Sequence, residues 1–238
     1  MALNGGPVFK FNQSISFHVK CKTKDDVDAI WEKLSEGGMV LMELGEYPFS
    51  ERYDWLQDKY GISWQLIFTG ESEMKQIIIP VLMFVNDVCG SAREAVNFYA
   101  SLFHNAKVGH IIRYGEGEEP DKEGTVKYAA FILESQEFGA MDSAHKHNFA
   151  FNEAISFIVN CKDQEEIDNF WENLSANPKA EMCGWLKDKY GVSWQIVPAI
   201  LDKMLQDKDS KKAENVMKAM LQMKKIDIKA LKQAYEQK

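Results

Sequence analysis

Two glutamine side chains are the clearest candidates for binding chemistry in this 238-residue chain. Gln65 and Gln195 stand at the same position of a repeated segment, each directly after a tryptophan, Trp64 or Trp194. A side-chain amide both donates and accepts hydrogen bonds, so a buried one must find partners of both kinds. The sequence leaves two roles open for them, recognition of a ligand and bonding to neighbouring backbone.

The repeat around these glutamines indicates an internal duplication. The segment 55–65 returns as 185–195, and the segment 9–35 returns as 149–175 with 14 of 27 positions identical. Side chains alternate between the two faces of a strand, so each tryptophan and the glutamine after it point in opposite directions. We expect the tryptophans to face helices and the glutamines to face a cavity.

The hydrophobic pattern predicts three units, each with the element order β-α-β-β-β. The helix of the first unit starts at the capping-box residue Thr23, and the second unit opens with the apolar run 77–85, followed by a capping box at Ser91. The third unit starts at Ala154. Its connection before Trp185 is ten residues shorter than in the first unit, which we interpret as a loop deletion that removes no element.

The short sequence motifs that occur in two repeats resemble those of a known family. Phe-x-Phe-Asn, Ile-Ser-Phe and Asp-Lys-Tyr-Gly-x-Ser-Trp-Gln, together with the three units, resemble the PhnB-like, or demethylubiquinone methyltransferase-like, branch of the vicinal oxygen chelate superfamily. That superfamily includes glyoxalases, extradiol dioxygenases and bleomycin-resistance proteins. The resemblance implies an α+β fold in which three βαβββ units of the glyoxalase type are followed by a C-terminal helical tail.

The resemblance also implies how the units pair, because two βαβββ units side by side enclose one cavity. We expect a complete two-unit module over 76–198, a single half module over 1–70 whose N-terminal partner unit is missing, and C-terminal helices over 199–238. The polar stretch Gly70–Lys75 is the expected linker. A half module would expose an apolar sheet face, so we expect a homodimer through the N-terminal unit.

Metal-dependent relatives take His, Glu or Gln ligands from the first and last strands of each unit. In this chain the first-strand position falls on Ser14, Pro80 and Ala154, and the last-strand position falls on Gln65 and Gln195. A catalytic metal needs three or four donors. We therefore expect no metal and no cofactor, and no Gly-rich turn between a strand and a helix is present to hold an adenosyl group. The candidate ligand-binding residues are Gln195, Gln65, Ser156 and Ala154.

Composition narrows the choice of function. The formal net charge is -8 and the basic residues form no cluster, so we expect no nucleic-acid partner. No apolar run is long enough to span a membrane, and no secretory signal is visible. The cysteines Cys21, Cys89, Cys161 and Cys183 are interpreted as free thiols of a cytoplasmic protein.

Three functions remain. The first is a small-molecule binding protein with an apolar cavity and no catalytic metal, similar to the bleomycin-resistance proteins. The second is a divergent metal-dependent lyase, isomerase or dioxygenase of the same superfamily. The third is a structural or partner-binding protein. The sequence does not decide whether the protein is an enzyme.

Overall fold

The computed structural model describes residues 1–3, 5–70 and 75–237, which divide into two compact units, Met1–Ala150 and Phe151–Lys238. The predicted α+β class is confirmed. Most of the predicted linker Gly70–Lys75 lies outside the described residues. Within the described ranges, no helix combines the length and the apolar character needed to cross a membrane.

The first half of the first compact unit has the predicted element order. Thr23 caps its helix, since the Thr23 side chain accepts from the Asp26 backbone N–H and the Asp26 carboxylate accepts from the Thr23 N–H in return. Side chains of Val19, Cys21 and Leu66 pack under this helix and form its core. The elements are β1 (Ile15–Cys21), α1 (Lys24–Ser35), β2 (Met39–Tyr47), β3 (Ser50–Gln57) and β4 (Ser63–Phe68).

The second half repeats this order, with one difference at the helix start. Ser91 makes no side-chain capping bond; the Asp142 carboxylate accepts from the Gly90 and Ala92 N–H groups instead. A distant aspartate therefore replaces the capping box expected from Ser91. The elements are β5 (Ile78–Val85), a short 3-10 turn (Asn86–Val88), α2 (Ala92–Leu102), β6 (Lys107–Arg113), β7 (Val126–Leu133) and β8 (Gln136–Ser143).

The two halves share one eight-stranded sheet with the order β2-β3-β4-β1-β5-β8-β7-β6. Its centre is the antiparallel pair β1–β5, in which Ile15 lies opposite Leu82 and Val19 opposite Ile78. The predicted grouping, with a single half module over 1–70 and a complete module over 76–198, is therefore wrong. The physical reason is that a strand has two edges: β5 pairs with β1 on one edge and with β8 on the other, so neither edge is left for the third repeat.

The second compact unit carries the third repeat and the helical tail. Its sheet has three strands in the order β10-β11-β9. Residues 175–184, all of which the structure describes, contain only an isolated bridge between Met182 and Trp185, so the shorter connection did remove a strand. The elements are β9 (Ser156–Cys161), α3 (Gln164–Leu174), β10 (Trp185–Lys187), β11 (Ser193–Pro198), α4 (Leu201–Leu205), α5 (Ser210–Met220) and α6 (Ile228–Glu236).

The tail compensates for the missing strand. The backbone N–H groups of Cys183 and Gly184 donate to the carbonyls of Met223 and Lys224, at 2.7 and 2.8 Å. The Gln164 side chain on α3 holds the next residues: its amide nitrogen donates to the Ile226 carbonyl, and its oxygen accepts from the Ile228 N–H. The Ile226 side chain is fully buried. The C-terminal segment is thus part of the folded second unit.

Candidate functional site

Gln65 lies on the face of the eight-stranded sheet that points away from α1, which we call the inner face. Val19 and Leu66 pack against α1, and strand alternation directs His18 and Gln65 to the opposite side. The tryptophan before the glutamine, Trp64, packs with the α1 core as expected from the alternation. Only 2% of Gln65 is exposed.

The Gln65 amide uses both of its ends. Its oxygen lies 2.7 Å from the His18 ring nitrogen Nε2 and accepts a hydrogen bond from the Tyr53 hydroxyl at 2.6 Å. Its nitrogen donates to the Ser16 hydroxyl at 2.7 Å. Because an amide oxygen only accepts, the contact with His18 requires the tautomer that carries hydrogen on Nε2. The other ring nitrogen, Nδ1, then holds a lone pair.

Burial keeps His18 neutral. Desolvation lowers the pKa of the imidazole to about 4, against a raising effect of the Gln65 hydrogen bond and with a further lowering by the nearby Lys20 ammonium. At neutral pH the ring can therefore accept a hydrogen bond at Nδ1. This combination of acceptor and amide is able to orient a polar group of a small molecule.

An aromatic side chain reaches across the inner face toward His18. In the sheet order β1-β5-β8-β7, a flat sheet would separate β1 from β7 by about 14 Å, at roughly 4.8 Å per strand. The Tyr128 ring on β7 bridges this distance by lying over Gly139 of β8, where no side chain stands in its way, and its centroid is 5.6 Å from that of His18; Tyr128 also contacts His110. Burial raises the pKa of Tyr128 to about 12, so its hydroxyl stays protonated.

The third repeat carries a reduced version of this network. The Gln195 amide nitrogen donates to the Ser156 hydroxyl at 2.8 Å, as Gln65 does to Ser16. Ile158 occupies the position across from Gln195 that His18 occupies across from Gln65. The polar set of the third repeat is therefore an amide and a hydroxyl, without the histidine.

Ala154 belongs to a turn before β9. Its backbone N–H donates to the Asn152 side chain, as the Ser14 N–H donates to Asn12 in the first repeat. The first-strand residue that faces the glutamine is four positions further on, at His18 and Ile158. The alignment that selected Ser14 and Ala154 did not single out His18. The parallel pairing of the first and last strands of the unit is the signal that would have found it.

The residues on the inner face do not fit a resident divalent metal. His18 and Gln65 supply one nitrogen and one amide oxygen, and these two atoms already bond each other. Glu137, the carboxylate that faces β1, is paired with the Lys20 ammonium at 2.6 Å. Within the described ranges no group of three His, Cys, Asp or Glu side chains could hold an ion. A set of three or four charged or imidazole donors is the usual requirement.

The helix starts of the three repeats are closed by their own carboxyl groups. Asp26 lies in the first turn of α1 and accepts from the Thr23 N–H. Asp163 lies directly before α3 and accepts from the Glu166 N–H. Asp142 bonds three backbone N–H groups, those of Gly90, Ala92 and Val126. The backbone N–H groups at these three helix starts are thus bonded to carboxyl groups of the chain and are not available to a phosphate.

Comparison with solved structures agrees with this architecture. Glyoxalase I from Zea mays superposes with a TM-score of 0.50 at 13% identity, covering 82% of this chain and 71% of that chain. A glyoxalase/bleomycin resistance protein/dioxygenase superfamily member from Vibrio splendidus matches at 13% identity and a TM-score of 0.31, covering 53% and 97%. The superposition on the Zea mays enzyme shows a glyoxalase-type fold.

The chain belongs to the family described as 3-demethylubiquinone-9 3-methyltransferase, whose profile matches residues 1–67 and 76–197. The branch indicated by the repeated words is thereby confirmed. The PhnB protein from Bacillus cereus is 43% identical, covers 52% of this chain and 100% of its own, and superposes with a TM-score of 0.45. Among proteins with curated functions, no match was found.

The family description names a methyl transfer, which requires a methyl-donating cofactor. The described strand-to-helix turns are short and are closed by Thr23 with Asp26, by Asp142, and by Asp163. A nucleoside cofactor is bound at a Gly-rich turn with free backbone N–H groups. The residues present do not fit such a cofactor, and we assign them no methyl-transfer step.

Proposed function

We propose that this protein binds a small molecule at the inner face of the eight-stranded sheet, with Gln65 and His18 as the polar recognition pair. The observation that supports the proposal most is the buried Gln65 network, in which one amide joins side chains from β1, β3 and β4. Buried polar groups on an apolar wall are typical of ligand sites. Here the wall is formed by Ile79, Val81 and Met83 on β5.

The chemistry of the pair defines the ligand. A neutral His18 with a lone pair on Nδ1 accepts from an N–H or O–H donor, and the Gln65 amide can exchange its Tyr53 or Ser16 partner for a ligand group. The rings of Tyr128 and His110 favour a flat aromatic body, because offset stacking adds to the buried area. We therefore infer a small aromatic ligand that carries a hydrogen-bond donor.

The experiment is a thermal-shift screen with small aromatic phenols, amides and carboxylic acids, followed by calorimetric titration of each hit. Binding to the native state alone raises the midpoint of unfolding. Gln65→Ala should weaken binding about 10- to 100-fold, which corresponds to the ~1–3 kcal/mol cost of an unpaired polar partner.

The duplication provides the matched control. Gln195→Ala removes the same amide from the same segment of the third repeat and should leave the affinity within about twofold of wild type. Equal losses in the two variants, or a screen without any saturable binder, would overturn the proposal.

We also propose a reducing compartment, the cytoplasm, as the site of action. All four cysteines lie in the described ranges and are free thiols, with Cys21 and Cys161 buried at equivalent strand positions. Burial raises the pKa of Cys21 to about 11 and that of Cys161 to about 12, so both are unreactive. Microscopy of a tagged protein tests the location.

A further inference from the structure

The strand β9 differs from its duplicate β1 in the number of its neighbours. β1 has β4 on one side, in parallel, and β5 on the other side, antiparallel. Among the residues that the structure describes, β9 has one strand neighbour, β11. The difference is visible in exposure, since Ser16 is buried while its duplicate Ser156 is half-buried, and Ile158 is 39% exposed.

The other edge strands carry protection that β9 lacks. β2 and β6 have register shifts, and charged residues are present along both, for example Glu43 and Arg113. β10 has only three residues and includes Lys187. β9 reads Ser-Phe-Ile-Val-Asn-Cys, with no charge, no proline and an uninterrupted ladder to β11. Charged residues, bulges and short strands keep sheet edges from pairing with other strands. An edge strand without these features is therefore suited to pair with a further strand.

We propose that β9 pairs antiparallel with β9 of a second copy of this chain, so that the protein is a dimer joined through its third repeat. The first repeat supplies the template within one chain. Toward β5, the Ser14 carbonyl accepts from the Met83 N–H at 2.8 Å and the Lys20 N–H donates to the Ile77 carbonyl at 2.9 Å. The duplicates of Ser14 and Lys20 are Ala154 and Asn160.

Along a strand, the backbone N–H and C=O groups of alternate residues point to the same side. The backbone groups of Ser156, Ile158 and Asn160 therefore point to the side of β9 that has no strand neighbour among the described residues. The five-residue ladder between β1 and β5 is centred on Phe17, whose duplicate is Phe157. A two-fold axis near Phe157 pairs Ser156 of one copy with Ile158 of the other. The contact is isologous, so it closes as a dimer and does not propagate.

The second copy also completes the surroundings of Gln195. In the first repeat, Ser16 lies opposite Val81, whose side chain is fully buried beside the Gln65 network. In the dimer, Ile158 of the second copy takes the place of Val81, opposite Ser156. This interface goes beyond the proposed ligand binding and does not depend on it.

The test is the mass in solution, measured by light scattering during size-exclusion chromatography. Wild type should have about twice the chain mass of 27.3 kDa over a hundredfold dilution. Ile158→Lys places two ammonium groups beside the axis and should raise the dimer dissociation constant at least 100-fold. Ile158 is exposed enough in one chain for the lysine to be tolerated, and circular dichroism verifies the fold.

The control and a register test complete the experiment. Leu221→Lys makes the same change at an exposed leucine of the tail and should remain dimeric. A chain with both Ser156→Cys and Ile158→Cys should form a covalent dimer under mild oxidation, because directly opposite residues lie about 5.5 Å apart, within disulfide reach. If Ile158→Lys unfolds, Asn160→Pro removes an edge N–H donor in its place. A monomeric wild type, or a dimer that persists in Ile158→Lys and forms no cross-link, overturns the proposal.

Discussion

Two buried aspartates of the first compact unit are satisfied to very different degrees. Asp142 accepts from three backbone N–H groups. Asp54 on β3 is fully buried, yet neither of its carboxyl oxygens has a hydrogen-bond partner among the described residues. Desolvation raises the pKa of Asp54 to about 7, despite the lowering effect of Arg52. Asp54 is thus protonated in the folded protein under mildly acidic conditions.

Asp54 and His18 should have opposite effects on stability over the same pH range. Asp54 has a raised pKa, so its contribution to folding is complete below pH 4 and is lost as the pH rises through about 7. His18 has a lowered pKa, so its contribution is complete above pH 6.5 and is lost as the pH falls through about 4. Between about pH 4 and pH 6.5, the free energy of unfolding falls with pH because of Asp54 and rises with pH because of His18, and in the wild type these two slopes cancel.

Single substitutions should reveal each slope. In Asp54→Asn only the pH dependence due to His18 remains. The free energy of unfolding relative to wild type should therefore rise between pH 4.5 and 6.5. His18→Gln leaves the Asp54 slope and should give a fall. Each change is on the order of 2–3 kcal/mol. Urea unfolding at both pH values measures it, and identical pH profiles in the two variants would contradict the assignment.

The polar network at Gln65 shows what the sequence reveals at the residue scale. The alternation of Trp64 and Gln65 predicts the face on which the glutamine lies. It does not predict His18, because the duplicated position holds Ile158, so comparison of the repeats does not single out a polar residue there. The pairing of β1 with β4 brings His18 across from Gln65, and this register is fixed only in the folded sheet.

At the scale of elements, the turn at Gly184 is closely packed against two other segments of the second unit. Gly184 has a φ of +86°, and a Cβ there would lie 2.8 Å from the Ile196 carbonyl oxygen and 3.2 Å from the Ile226 side chain. Glycine is therefore required both for the backbone conformation and for the approach of the tail.

Gly184→Ala should destabilise the second unit by about 3 kcal/mol, because it adds a steric clash to the strain of a left-handed residue. Gly191→Ala is the matched control: Gly191 has a φ of +92°, but a Cβ there makes only an ordinary 3.7 Å contact with Phe151. That variant should lose about 1 kcal/mol. Chemical denaturation followed by tryptophan fluorescence measures the difference, and equal losses would show that the clash is relieved at no cost.

The third repeat also marks the limit of arguing from duplicated elements. The helix α3 and the strands around Trp185 and Gln195 follow from the sequence. The absence of a strand over residues 175–184 does not follow from the sequence, because the composition of this segment is compatible with extended structure. The hydrogen bonds of Cys183 and Gly184 go instead to a segment 40 residues later, a pairing that no local pattern encodes.

At the scale of the whole molecule, similarity between repeats and pairing of repeats follow different rules. The first and third repeats share the most sequence, whereas the first and second share a sheet. β5 completes the free side of β1 and has β8 on its other edge, so the second repeat has no edge of β5 left for the third repeat. The pattern of the sequence therefore predicts the units well and their partners poorly.

The docking of the tail onto the third repeat has a consequence for synthesis on the ribosome. All eight strands of the first sheet are available once Ser143 has been made, so this unit can fold while the chain is still growing. The second unit has to wait for Met223, Lys224 and Ile228 before Cys183, Gly184 and Gln164 find their partners. Nascent chains that stall before Met223 should accordingly present a finished first unit and a second unit open to proteases and chaperones.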